Sequence, residues 1–568
     1  MNRNRRLICA LLLGITAAET QAQQAVDSMN VLPRDVAREA VALFNATVGY
    51  RVVARSTIDA QRLIPGNVAV LNGPLTVAGH VTGRVLAINS DVILVPGARI
   101  DGDLLVVGGE VEGDSRAIVG GEVRIYHLPL RYDVQGDELV ALDATIADDQ
   151  WWRLWERRGH RNFNRLDVAN AGVYNRTEGL PIRIGPALYR DQGWGHLRVD
   201  ATAIVRTGSS FTGSVPDVGH DVRGEIRIGR EYGLTLGARL FETVDAVESW
   251  QLSNVESGLA TFLFHRDYRD YFDRHGGAIH AALRATDNAD LTVSYSDERW
   301  SSRAERNPLA LNLRSLAWRI NPRIDDGRFH VAHMTLRIVT RNADFNPFAG
   351  WYLLADYERG AGTIDNIGPS SSGVVEVIGQ PTRYQRGFFD LRRYNRLAPN
   401  AALNLRIVLA GWLSGDPMPL ERRLSIDGPG TIPGFDFRVA GNTDVGTCAT
   451  GSVPMPGRPA QCERISLVQL EYRTDLRISR TVGTFGNRIN KFRLDGDWVF
   501  FADAGRGWTV NAPGSPVNYK RYEFPSLSSY RTDIGAGLDF DFFGVYAAKA
   551  ISVPQEPLNI FFRVRHRF

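Results

Sequence analysis

The stretch Asn559-Ile560-Phe561-Phe562-Arg563-Val564-Arg565-His566-Arg567-Phe568 constrains the rest of the chain more than any other. Side chains alternate across a strand, so Ile560, Phe562, Val564, His566 and Phe568 share one face while Arg563, Arg565 and Arg567 share the other. In a soluble sandwich such a strand leaves three guanidinium groups in a dry core or two phenylalanines in water. A strand between lipid and a wet lumen meets no such conflict, because its apolar face touches hydrocarbon and its cationic face touches water. The bland alternative is an edge strand of a large soluble sheet.

The same alternation returns upstream. Leu197, Val199, Ala201, Ala203 and Val205 alternate with Arg198, Asp200, Thr202 and Arg206, and Val468, Leu470 and Tyr472 oppose Gln469, Glu471 and Arg473. Such segments begin near residues 181, 194, 219, 232, 277, 289, 313, 329, 349, 382, 400, 464, 493, 528, 543 and 559, sixteen in all, an even number as single-chain barrels require. The pattern predicts an all-β protein in which residues 166–568 form a sixteen-stranded antiparallel transmembrane β-barrel. On this count the piece from 244 to 276 falls on the periplasmic side, where connections are normally short. Either a strand escapes the pattern or His265-Arg266-Asp267-Tyr268-Arg269-Asp270-Tyr271 belongs to an extra helix. His265 and His275 lack a tight metal-ligand spacing, so no metal is expected there.

The amino-terminal residues read as a secretory signal over 1–22: Arg3, Arg5 and Arg6, an apolar run from Leu7 to Ala18, then Thr20-Gln21-Ala22. No later stretch approaches the roughly 20 apolar residues of a transmembrane helix, which leaves strands to cross any membrane. The near-balanced charge of +3 offers no basic patch for nucleic acid. Cys9 leaves with the signal, and Cys448 with Cys462 reads as a loop disulfide in preference to free thiols, because export implies an oxidising compartment.

Residues 26–60 hold an amphipathic helix, with Val36, Val41 and Phe44 on its apolar side, expected to cap the first coil of a repeat. In that repeat Asn67-Val68-Ala69-Val70, Arg84-Val85-Leu86-Ala87, Asp103-Leu104-Leu105-Val106 and Glu122-Val123-Arg124-Ile125 recur at intervals of 17, 19 and 19 residues, each after a glycine. That period predicts a short parallel β-helix over 61–130, in the periplasm, where each coil buries its apolar positions by stacking on the next. Residues 131–165 form a connector in which Trp151, Trp152 and Trp155 share a helical face, suited to a membrane interface or to packing on a barrel rim.

These motifs carry resemblances to known families. The repeat resembles the bactofilin-like, polymer-forming β-helices over about three coils, which implies a stackable scaffold and no catalytic group. Alternation ending on an aromatic resembles the terminal strand of bacterial outer-membrane barrels, with Phe562, Val564 and Phe568 as its signal. The longest loop holds Arg422-Arg423-Leu424-Ser425-Ile426-Asp427-Gly428-Pro429-Gly430-Thr431-Ile432-Pro433-Gly434-Phe435, and it resembles the inward-folded sixth loop of the bacterial surface antigen superfamily. Tyr174-Asn175-Arg176-Thr177-Glu178-Gly179-Leu180 resembles the start of that family's barrel. Leu470-Glu471-Tyr472-Arg473 resembles the strand after the loop, and Phe501-Ala502-Asp503-Ala504-Gly505 the family's Phe-x-Asp-x-Gly strand.

In the family the loop tip carries an arginine that pairs with the strand's aspartate. Here the tip is Ile432-Pro433-Gly434-Phe435, with proline at the arginine position, so Asp503 needs another cation; Arg438, Arg422 and Arg423 are the candidates. Family members that move polypeptide carry POTRA modules, and the β-helix stands in their place.

The resemblance implies an outer-membrane protein acting in protein or lipid insertion or translocation, with outer-membrane lipid, barrel-assembly machinery and periplasmic clients as partners. The alternative is an anchor that holds a self-stacking β-helix scaffold at the outer membrane. No Gly-x-Ser-x-Gly elbow or paired catalytic constellation occurs, so neither enzymatic activity nor a cofactor is expected.

Overall fold

The computed structural model describes residues 32–141 and 163–568 with interruptions; the longer stretches outside it are 1–31, 142–162, 209–216, 312–317, 342–346, 370–374 and 438–461. The signal segment, the Trp151–Trp155 helix, Arg438 and Cys448 therefore lie outside the described residues, as do Arg565 and His566. The chain divides into two compact units, residues 1–159 with 341–349, and residues 160–340 with 350–568.

The first unit is a parallel β-solenoid. One ladder contains Tyr50–Val53, Val68–Leu71, Val85–Ile88, Leu104–Val107 and Val123–Tyr126, and two further four-stranded ladders complete the coils, giving four coils and the opening strand of a fifth. The repeats read from the sequence are this first ladder, which begins at Tyr50, ahead of the expected residue 61. Val68, Val70, Val85, Ala87, Leu104 and Val106 point inward and are fully buried. The glycines fix the coil spacing: a Cβ on Gly83, Gly102 or Gly121 would lie 2.5, 2.7 or 2.4 Å from atoms of the coil beneath.

The helix Arg34–Ala46 does not cap the first coil. It lies across the outer face of the first ladder, where Val36, Ala40 and Phe44 pack on Leu71, Leu86, Ile88, Leu105 and Val107. The reason is in the strands, which are apolar on both faces, so the outer face also needs cover from water. Arg124, in the fifth strand of the ladder, donates from both terminal nitrogens to Glu39 of the helix.

The Arg124 hydrogen bonds hold the Glu39 carboxyl below its ordinary value of 4.5. A depressed carboxyl contributes stability that is present above its unfolded pKa and is lost as pH falls through the folded one. Amide exchange over 34–46 should therefore speed up as pH drops below about 4.5, after correction for intrinsic rates. Glu39→Gln should remove that pH dependence with less than about 1 kcal/mol of cost at neutral pH, since the pair is partly solvated.

The second unit is one sixteen-stranded antiparallel sheet, from Phe163–Asn170 to Asn559–Arg563, each strand paired with the next in sequence. Sixteen was expected, but two of the strands differ. Phe163–Asn170 is a strand the alternation did not reveal, and Ala289–Ser302 pairs directly with Gly327–Val339, with no strand among the described residues between them; residue 313 itself lies outside the described residues. Moving the start back by one strand reverses the parity of the first half. Residues 247–270 now join 416–463 and 509–530 among the long connections of one end, while breaks such as 193–194 and 229–232 fall at the other.

The sheet is inside out relative to a soluble protein. Leu197, Val199, Val222, Ile226, Leu240, Val468 and Phe500 are exposed, whereas Arg198, Asp221, Arg223, Glu298, Asp390, Arg406 and Arg473 are buried. Laid flat, fifteen spacings of about 4.8 Å would separate the first and last strands by roughly 70 Å. Instead a single short helix, Asn254–Phe264, touches residues beside both. The sheet is closed into a barrel.

Candidate functional site

The described part of the loop after the strand Ala401–Gly415 folds inward onto the inner wall. Leu424, Ile426, Ile432 and Phe435 are buried against Val408, Ile465, Leu467 and Ala550 of the wall. Backbone groups that would otherwise be orphaned in this interior find partners. Thr431 carbonyl accepts from Gln469 Nε2 at 2.8 Å, Pro433 carbonyl from Asn559 Nδ2 at 3.2 Å, and Gly434 N–H donates to Asp533. Asp427 pairs with Arg531, whose guanidinium also lies 4.5 Å over the Phe435 ring.

Tip and strand motif meet, though not as expected. Gly505 makes room for the loop: a Cβ there would lie 2.7 Å from Ile426 and 2.8 Å from Ile432. Asp503 takes its cation from Arg567, which stacks 3.6 Å over the Phe501 ring. Neither Arg422 nor Arg423 serves this purpose. Arg422 Nε donates to Glu358 at 2.8 Å, and Arg423 Nε to the Met418 carbonyl at 3.0 Å. With proline at the tip, the counter-charge to Asp503 arrives from the segment after the last strand.

That segment also corrects the reading of 559–568 as one strand. Pairing stops at Arg563, and Val564, Arg567 and Phe568 lie beyond the strand's end. Phe562 faces outward, exposed and stacked on Phe264 at 6.3 Å. Ion pairs account for the early stop, since Arg563 and Arg567 both turn inward to buried carboxylates, Glu256 and Asp503.

Glu256 belongs to the helix Asn254–Phe264, which starts where the expected helix around Tyr268 does not reach; His265 closes it in a left-handed conformation. Its carboxylate has two duties. It completes a capping box with Ser253, and it accepts from Arg563 Nε at 2.6 Å and Val564 N–H at 3.1 Å. On the other side of the helix, Phe262 packs edge-on against Tyr174 at 5.2 Å, and Gly258 faces Val173 and Tyr174. The stretch Tyr174–Leu180 thus comes directly after the first strand, where the start of the barrel was expected. Its Arg176 is fully buried, paired with Asp270 at 2.9 Å and Asp267 at 3.2 Å.

Among the described residues no ladder joins the last strand to the first. The helix stands at that seam, tied to the last strand by a buried ion pair and to the segment after the first strand by ring packing. Scans against protein-family models find no match, and no curated protein matches the chain.

Solved neighbours include BamA and CdiB. BamA from Haemophilus ducreyi, lacking POTRA domains 1–3, is 14% identical over 71% of this chain and 70% of that one, with a TM-score of 0.39. CdiB from Escherichia coli is 11% identical over 77% of this chain and 67% of that one, at 0.31, and CdiB from Acinetobacter baumannii 10% identical over 75% and 60%, at 0.30. The barrel assignment itself stands on strand pairing and burial.

Cys462 is disulfide-bonded. Among the described residues no group of three or more His, Cys, Asp or Glu is placed to hold a metal ion. His265 stacks on Trp318 at 3.7 Å and His275 lies beside His220. Alternation had already put Arg563 and Arg567 on the inner face, but their partners Glu256 and Asp503 are 307 and 64 residues away in sequence. Asp427 and Arg531, likewise, carry no local signal that joins them.

Proposed function

We propose that this chain is an outer-membrane barrel of the surface antigen type that helps protein or lipid enter or cross that membrane, with the solenoid in the periplasm. The reading is carried by the seam. Where two edge strands are bridged by side chains and a helix in place of a ladder, separating them breaks a few contacts in place of a row of backbone hydrogen bonds. An incoming strand or an acyl chain then has a route through the wall. The inward loop, seated on Gly505, supports the same reading through the sequence resemblance. The solenoid would recruit clients or machinery. A pure anchor is the second reading, favoured by the solenoid's first strand, Tyr50–Val53, which pairs on one side only among the described residues.

Depleting the protein and measuring the outer-membrane inventory separates these. A fall in inserted barrels or in surface lipid supports the transport role, and an unchanged inventory supports the anchor. The seam is tested by a lock. A Cβ at Gly258 would lie 3.6 Å from that of Val173, within the range a disulfide spans. Gly258→Cys with Val173→Cys is expected to fold, cross-link, and fail to restore the inventory of depleted cells, while either single variant restores it. Full rescue by the cross-linked protein would exclude parting between the helix and the first-strand side and leave only the Glu256–Arg563 side, which Glu256→Gln tests.

A further inference from the structure

Outward-facing positions of a lipid-embedded wall are exposed, and on the strand Arg464–Phe485 Val468, Leu470 and Tyr472 are. Toward the end with the long loops this pattern breaks. Ser466, and Arg506 and Trp508 on the next strand, share the outward parity yet are buried. Their cover is the later part of the connection 509–530, folded back over the outside of the wall, while Val510 and Val517 of its earlier part pack inward. Tyr530 hydroxyl lies 2.6 Å from Ser466 Oγ, Ser529 carbonyl accepts from Arg506 Nη1 at 3.1 Å, and Phe524 packs edge-on against Trp508 at 6.1 Å.

The draped loop turns an unusual face outward. Tyr522, Phe524 and Leu527 are 82%, 71% and 85% exposed, more than isolated surface residues need be. Beside them stand Arg464 and Arg521. Arg464 donates to the Trp412 carbonyl at 2.8 Å and the Arg521 carbonyl at 2.7 Å, and Arg521 to the Leu413 carbonyl at 3.4 Å. Both guanidiniums lie over the Trp412 ring, at 5.4 and 5.5 Å. Their hydrogen bonds go to neutral carbonyls, and Glu463, next to Arg464, is bonded to the Val510 and Asn511 amides, so two neighbouring positive charges stand at this rim with no carboxylate ion-paired to either among the described residues.

We propose that this loop docks a phosphorylated lipid of the leaflet on the long-loop side. Its headgroup phosphate would sit between Arg464 and Arg521, and its acyl chains along Tyr522, Phe524 and Leu527. Guanidinium forks match phosphate oxygens in pairs, and aromatic side chains next to cations suit the headgroup level of a membrane. Charge complementarity selects an anionic amphiphile over a neutral one, and the outward drape on a hydrocarbon-facing wall selects a lipid over a soluble anion. The proposal rests on the barrel's place in the membrane and not on the seam, so a seam that fails its own test leaves it standing.

The test is native mass spectrometry of the purified full chain in detergent with bisphosphorylated lipid A, with the dephosphorylated lipid, and with inorganic phosphate as competitor. The phosphorylated lipid should be retained at least tenfold better than the dephosphorylated one. Arg464→Gln with Arg521→Gln should cut that retention at least tenfold, with heat-modifiable migration in electrophoresis intact. Should the double variant lose that migration, Arg521→Gln alone decides, with a severalfold loss expected. Equal retention of both lipids, retention unchanged in the variants, or displacement by millimolar phosphate would each overturn the proposal, the last by reducing the site to one for a small anion.

Discussion

Arg567→Gln is expected to destabilise the folded barrel by about 3–5 kcal/mol, the cost of removing one partner of a buried ion pair. Asp503 and Arg567 are 3% and 2% exposed, so water cannot replace the lost partner without opening the lumen. Phe501 adds to the loss, because its ring is the platform under the guanidinium. The measurement is the temperature at which purified protein loses its fast-migrating band in semi-native electrophoresis. Asp503→Asn should show a loss of similar size. Combining the two should recover part of it, since the double variant removes both charges of the pair and leaves Asp533, opposite Asp503 and bonded to the Gly434 amide, as the remaining buried carboxyl. Strictly additive losses would mean that the two side chains do not interact and that the position of Arg567 in the lumen is wrong.

Glu256→Gln is the second large effect. It removes the charge that holds Arg563 and weakens the hydrogen bond to Val564 N–H. A loss of about 3 kcal/mol at this contact raises the population of a separated seam on the order of 100-fold. In planar bilayers this should appear as frequent large-conductance openings that the wild type shows seldom. Ser253→Ala serves as the control, as it strips the hydroxyl's bonds to the Glu256 amide and carboxylate and leaves the charged Glu256 opposite Arg563. Openings as frequent in Ser253→Ala as in Glu256→Gln would assign the effect to helix stability and remove the ion pair from the account.

Much of the architecture was legible because lipid inverts the usual rule. An outward face must be apolar along the height of the membrane, so alternation marks each strand. It failed where that face is short. Phe163–Asn170 offers only Leu166 and Val168 as outward aliphatic residues, too few to stand above background. Near residue 313 the sequence alternates leucines with other residues, yet the strands on either side, Ala289–Ser302 and Gly327–Val339, pair directly with each other. The two errors cancelled in the count and showed only in the parity, as a long connection at the wrong end.

The lumen was harder to read. Parity says which residues point inward, but pairing depends on where the wall brings residues together around the ring. Asp503 was therefore matched with arginines near it in the loop, whereas the closed sheet delivers Arg567. In the solenoid, the stacking logic placed the helix on the end of the first coil and took no account of the strands' second apolar face. That face is why the helix covers a side and not an end.

The double duty of Glu256 limits how the wall can part. A rigid swing of the helix away from Arg563 would carry off a carboxylate still bonded to the Ser253 amide, leaving Arg563 without its counter-charge. If the carboxylate instead stays with Arg563, the first helical turn loses its cap and unwinds. Only the second route couples a parting of the wall to local melting at 254–257; if it is the cheaper one, the rate of parting would be set by the fraying of a few peptide units and be sensitive to temperature and to helix propensity at those positions.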